Sequence, residues 1–133
     1  MTPEASRFLA KAAKLLAEAD KMLGIELADA AGRTAYLAGF HAAQALIFER
    51  LGKMLKTHNG VQTEFLRLTR DDAGLDSDVR AFLSRTYNLK SIADYETGPD
   101  AGVSLLRAAQ AVGDGRVFVA CIEHLVEMSE ARP

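Results

Sequence analysis

Apolar residues recur at helical spacing almost from the first residue of the chain. Thr2 and Pro3 offer an N-cap followed by proline at the first helical position. Phe8, Ala12, Leu15, Ala19 and Met22 then fall three or four residues apart, and Gly24 supplies a stop. A second helix is predicted from about Glu26 to Leu51, closed by Gly52. Its small residues Ala35, Ala38, Gly39, Ala42 and Ala43 allow a neighbouring helix to approach closely. Tyr36, Phe40, Ile47 and Phe48 supply bulk for packing.

The stretch KTHNGV (56–61) reads as a connection into a third helix, with Asn59 as its cap and Gln62 completing a capping box. Val61, Phe65 and Leu68 form the apolar stripe of that helix. After the turn DDAGLD, Asp76 is placed to cap a fourth helix, whose buried positions are Val79, Phe82, Leu83, Leu89 and Ile92. The TGP at 97–99 ends it. A last helix is predicted from about Ser104 to Met128, kinked or frayed by the GDG at 113–115. No alternating β-branched run competes, and the one Asn-Gly precedes a helix. The expected fold is all-α, a compact antiparallel bundle of about five helices forming one domain over residues 1–133.

Length and composition agree, since 133 residues with 49% hydrophobic content suit one folded domain. A net charge of −2 gives no global basic field to attract nucleic acid, which leaves only a local patch for that purpose. A single cysteine, Cys121, cannot form an intrachain disulfide and fits a cytoplasmic location. The start MTPEASRFLA does not read as a secretory signal, and VFVACI is too short to span a bilayer, so no membrane association is expected.

The chemistry-bearing residues concentrate on the fourth helix. Tyr87, Lys90 and Asp94 fall at i, i+3 and i+7 and line one face, with Tyr95 beside them. Asp94 lies close to the helix C-terminus, where a carboxylate opposes the dipole, and Lys90 precedes it in the weaker order for such a pair. A phenol, an ammonium and a carboxylate on one stripe suit anion binding or acid/base work. They equally suit a structural network in which Lys90 pairs with Asp94 and Asp94 accepts a hydrogen bond from another helix. From spacing alone the network is the plainer account.

Helix two carries Arg33, Leu37 and His41 along one side, with His41 expected to be half buried. His58 sits beside Lys56, where a helix N-terminus can receive a phosphate or where it simply belongs to a capped turn. His124 reads as solvated, and Cys121 as a packed thiol. The histidines are scattered, without His-x-x-x-His, Cys-x-x-Cys or Glu-x-x-His pairs, and there is no Gly-x-x-x-x-Gly-Lys loop. Neither a metal nor a cofactor is expected.

Four stretches taken in order, RTAYLAGFHAAQALI (33–47), KTHNGV (56–61), FLSRTYNLKSIADYE (82–96) and the apolar final helix, resemble the small HEPN-domain proteins of bacteria and archaea. The resemblance covers nearly the whole chain. It implies a bundle of four to five helices, commonly a homodimer, and often a toxin–antitoxin partnership with a minimal nucleotidyltransferase. It also implies metal-independent cleavage of RNA, in which a histidine assists attack of a ribose 2′-hydroxyl and an arginine steadies the phosphate. On that reading Lys90, Asp94, Tyr95 and His41 are the catalytic candidates, and Arg33, Lys56, His58 and Tyr87 the candidates for binding RNA or a nucleotide.

The sequence departs from that pattern in two places. The family signature has four to six residues between its arginine and histidine, whereas Arg33–His41, Arg50–His58 and Arg116–His124 each have seven. The related helix usually reads Arg-x-x-Ala-Asp-Tyr, and here Lys90 stands in the arginine position before Ala93, Asp94 and Tyr95. Lysine keeps the charge but loses the planar fork that grips a phosphate in two places. The expected function is therefore an RNA-targeting, toxin-like protein acting with a minimal nucleotidyltransferase, either as a ribonuclease or as its catalytically degenerate descendant. The alternative is a non-catalytic helical module that binds a nucleotide or a protein.

Overall fold

A computed structural model describes residues 1–130 of the chain. Six helices run through them: α1 (Pro3–Gly24), α2 (Ala28–Leu51), α3 (His58–Leu68), α4 (Ser77–Arg80), α5 (Phe82–Tyr95) and α6 (Leu105–Glu130). No strand interrupts the described residues. The all-α bundle is thus the observed architecture. The Thr2 hydroxyl caps α1 by accepting from Ala5 N at 3.1 Å, with proline next in line. Gly52 closes α2 at φ 66°, a left-handed conformation that glycine adopts without strain.

The sixth helix arises because the segment beginning at Asp76 breaks at Ala81. Asp76 caps α4 as expected, its carboxylate accepting from Val79 N at 2.9 Å. The Asp78 carbonyl, which a continuous helix would give to Phe82, instead accepts from Arg85 Nη1 at 3.3 Å. The break turns Phe82 into the core, where it is 1% exposed and its ring stacks on Phe118 with centroids 4.7 Å apart. Helix α3 also begins earlier than Asn59 suggested. Its cap is Thr57, in extended conformation, whose hydroxyl accepts from Gly60 N at 3.0 Å. Gln62 completes no capping box and donates to Ser84 Oγ at 2.6 Å, tying α3 to α5. The GDG at 113–115 does not interrupt α6, which is helical throughout.

Helix α2 is the central column, with more than half of its residues buried and α1, α3, α5 and α6 all packed against it. The small residues read from the sequence as a contact surface, Ala35, Ala38, Gly39, Ala42 and Ala43, are consumed by packing within the chain. The tightest approach is at Gly39, where an added Cβ would run into the Phe82 ring and lie 3.4 Å from Leu83 Cδ2. The main core gathers Leu46, Ile47, Phe65, Phe82, Leu83, Phe118 and Ile122. A second cluster toward the α1–α2 turn holds Ala19, Ala31, Leu89, Val103, Ala108 and Val112.

Two arginines secure α3. Arg80 donates through Nη1 to Thr69 O at 2.6 Å and through Nη2 to Leu66 O at 3.2 Å, while Arg50 Nη1 donates to Leu68 O at 3.1 Å. Guanidinium groups at a helix C-terminus satisfy its free carbonyls and suit its dipole. The first residue of α3 is His58, so this anchoring also fixes one wall of the site described below.

Two glycine substitutions should act with opposite sign. Gly39→Val drives a branched side chain into rigid core rings and should cost about 2–3 kcal/mol. Gly113→Ala meets nothing within 4 Å in its helix and should gain about 0.5–1 kcal/mol from helix propensity. Urea denaturation of the three proteins reads both effects. Equal shifts in one direction would contradict the packing described.

Candidate functional site

The polar site lies where α2, the start of α3 and the last turns of α5 converge. Arg33 and Tyr36 occupy one side of α2, one helical turn apart. From α5, Tyr87, Lys90 and Asp94 share a face turned toward α2. The 52–57 connection brings Lys56, and α3 begins with His58. Tyr36, Leu37, Phe40, Lys56, His58, Tyr87 and Lys90 line an open cavity of about 270 Å³.

Asp94 is held by two cations. Arg33 Nε donates to Asp94 Oδ1 at 2.9 Å, and Lys90 Nζ lies 2.9 Å from Oδ2, so each oxygen has its own partner. The carboxylate that opposes the α5 dipole is therefore neutralised by one residue of its own helix and one from α2. The Lys90 hydrogen bond, aided by the Arg33 charge, holds the Asp94 carboxyl below its ordinary value of 3.8. The same hydrogen bond raises Lys90. Its ammonium also stands 6.0 Å from the Tyr87 ring centroid and 5.6 Å from that of Tyr95, within cation–π range.

Aromatic rings form the other half of the site. His58 stacks on Tyr87 with centroids 3.9 Å apart and planes within 15°. Its Nδ1 is hydrogen-bonded to the Tyr36 hydroxyl at 2.9 Å. Tyr36 is buried and Tyr87 is 38% exposed, so the ring cluster runs from the core out to the surface. Burial, with the neighbouring Tyr87 adding to it, pushes the Tyr36 phenol well above its ordinary value. Burial lowers His58, which favours the neutral imidazole.

The structure thus groups Arg33, Lys56, His58, Tyr87, Lys90 and Asp94, with Tyr95 exposed at their edge. His41 lies apart from them. Its Nδ1 is bonded to Gln44 Oε1 at 2.7 Å, and its ring stacks over Phe8 of α1 at 6.3 Å. Burial is the main cause of its lowered pKa. His124 is exposed, and Cys121 packs against the main core. The residue that sequence reasoning left in the core was Tyr36. Its position three residues after Arg33 could have placed it on the same face. Among the described residues no group of His, Cys, Asp and Glu is arranged to hold a metal ion.

A bundle of helices around one buried column, with a cationic and aromatic face at the junction of α2, α3 and α5, defines the class of protein. The HEPN domain family matches residues 5–128, and the chain belongs to that family. It is 34% identical over 104 residues to a UPF0332 protein of Archaeoglobus fulgidus, covering 75% of this chain and 82% of the relative. The crystal structure of TT1696 from Thermus thermophilus is similar in fold. It has a TM-score of 0.76 at 20% identity and covers 93% of this chain and 99% of that one.

The lowered histidines fix the sign of an acid response. Their folded values lie below the ordinary 6.5, so just below pH 6.5 the unfolded chain binds more protons than the folded one. Stability should be full above that pH and fall as pH drops through the folded values. Asp94 adds a second loss below 3.8 as its carboxylate is protonated. Denaturation midpoints between pH 7.5 and 5 check the first limb, which replacing both His41 and His58 by glutamine should flatten. Stability that rose on acidification would contradict it.

Proposed function

We propose that this HEPN protein is an RNA-targeting, toxin-like component that binds RNA phosphate on the α2–α3–α5 face and acts with a minimal nucleotidyltransferase partner. The observation that carries the reading is the shared cavity of Lys56, His58, Tyr87 and Lys90, with Arg33 at its edge. Cations beside exposed aromatic rings are what an unpaired RNA strand needs: ammonium groups for the backbone, rings on which a base can stack. Lys56 and Lys90 line the cavity with no carboxylate among its lining residues, and Asp94 at its margin is shared between Lys90 and Arg33.

Cleavage would run without a metal. A histidine would take the 2′-hydroxyl proton, the 2′-oxygen would attack phosphorus, and the 5′-oxygen would leave with a proton from an acid. Lys90 would steady the charge on the phosphate. The arrangement supports weak cleavage or none. Arg33 is engaged with Asp94, His41 sits outside the cavity, and lysine replaces the arginine fork. Those observations favour a second reading, in which the same face binds RNA, a nucleotide or a protein and cuts nothing. Homodimerisation, which would bring two copies of one polar face together across a two-fold axis, belongs to the first reading. It needs a surface other than the α2 small residues.

Fluorescence anisotropy with a labelled single-stranded RNA tests the binding. Replacing Lys56 and Lys90 by alanine should weaken it uniformly across sequences and reduce the salt slope by about 1 for each phosphate left without its cation. Any ribonuclease activity should resist chelators and fall further in Lys90→Ala than in Tyr95→Phe. Light scattering at micromolar concentration should show a dimer. A stable monomer that bound neither RNA nor a nucleotidyltransferase would leave the protein-binding reading ahead.

A further inference from the structure

The Tyr36–His58 hydrogen bond decides what the imidazole offers to a ligand. A neutral histidine carries one ring proton, and the partner of one nitrogen sets which nitrogen bears it. Here Tyr36 Oη and His58 Nδ1 are 2.9 Å apart, and Tyr36 is 3% exposed. His58 Nδ1 is the hydroxyl's one hydrogen-bond partner among the described residues. Were Nδ1 protonated, it would donate to the phenol oxygen, and the phenol's own O–H would have no acceptor among the described residues. A buried unsatisfied donor is costly. In the opposite arrangement the phenol donates to the Nδ1 lone pair, and both the hydroxyl proton and the ring nitrogen are satisfied. The ring proton then sits on Nε2, which has no partner among the described residues, on a ring that borders the cavity. Stacking on Tyr87 at 3.9 Å fixes the plane of the imidazole as well.

We propose that Tyr36 is a positioning residue that holds His58 in the Nε2–H tautomer, so that His58 joins Lys56 and Lys90 as a third donor to a phosphate group in this cavity. Burial supports the assignment by keeping the phenol protonated and the imidazole neutral. A neutral Nε2–H donates to a phosphate oxygen and has no free lone pair with which to take a proton from a ribose hydroxyl. The site is therefore built to hold a phosphodiester in preference to cutting it. The identity of the phosphate as RNA rests on the reading proposed above, whereas the tautomer does not.

Long-range ¹H–¹⁵N spectra of the imidazoles at neutral pH read the tautomer in the free protein. The expected pattern for His58 is a protonated Nε2 and an unprotonated Nδ1, replaced in Tyr36→Phe by a mixture of tautomers. Phenylalanine keeps the ring that the core needs. A protonated Nδ1 in the wild type, or an unchanged pattern in Tyr36→Phe, would overturn the positioning role. Binding of a short fluorescent oligouridylate reads the donor role. His58→Gln sets an amide donor near the Nε2 position and should bind close to wild type. His58→Asn sets its amide near Nδ1 and should lose about tenfold, the size of one hydrogen bond to a charged group. Equal affinities for the two variants would overturn the donor role. A wild type that binds no oligouridylate while keeping the Nε2–H tautomer would overturn both the RNA reading and the phosphate role, with the positioning role upheld.

Discussion

Everything in this bundle depends on the burial of α2. A helix enclosed by four others must be narrow where they cross it, and Ala35, Ala38, Gly39, Ala42 and Ala43 make it so. At Gly39 the Phe82 ring occupies the space a side chain would need, which sets how close α5 lies. That approach brings the last turns of α5 beside the start of α2 and makes the Arg33–Asp94 bond possible across 61 residues of sequence. The site is thus a consequence of core packing. Polar groups gather where the column emerges from its neighbours.

Asp94 shows how a local conflict is resolved by tertiary structure. Near the C-terminus of α5 a carboxylate meets the negative end of the dipole. Lys90 alone, in the weaker order, would compensate incompletely. Arg33 supplies the second cation from another helix, and the two divide the carboxylate oxygens between them. This is the network expected from spacing, yet it also places two cations beside a cavity that holds a third, Lys56. Ion pairing leaves room for a ligand here because the Lys90 ammonium has three N–H donors and Asp94 Oδ2 takes one of them.

Much of the fold was legible because helical periodicity and caps are local. Thr2, Gly52 and Asp76 act where the sequence placed them. What escaped depends on long-range contacts. The break at Ala81 goes with the burial of Phe82 against Phe118. The cap at Thr57 starts the helix at His58, whose ring meets Tyr36 and Tyr87. The GDG was read as a weakness, although an added Cβ at Gly115 would come 3.2 Å from Leu16 Cδ2, so that glycine serves close packing. Asp29 gave no signal, yet its carboxylate accepts from Val103 N at 2.6 Å and pins the chain leading into α6. In the site, the α5 stripe was readable from its spacing. The parting of His41 from His58 was not, because both sit beside aromatic or basic residues and only the packing of α1 and α3 separates them.

The central claim is that the α2–α3–α5 junction is the face that meets RNA. Chemical-shift mapping of the ¹⁵N-labelled protein during titration with a single-stranded oligonucleotide addresses it most directly. The account predicts perturbations confined to residues around Arg33, Tyr36, Lys56, His58, Tyr87, Lys90 and Tyr95. Shifts centred on the outer surface of α6, or none at saturating RNA, would contradict it.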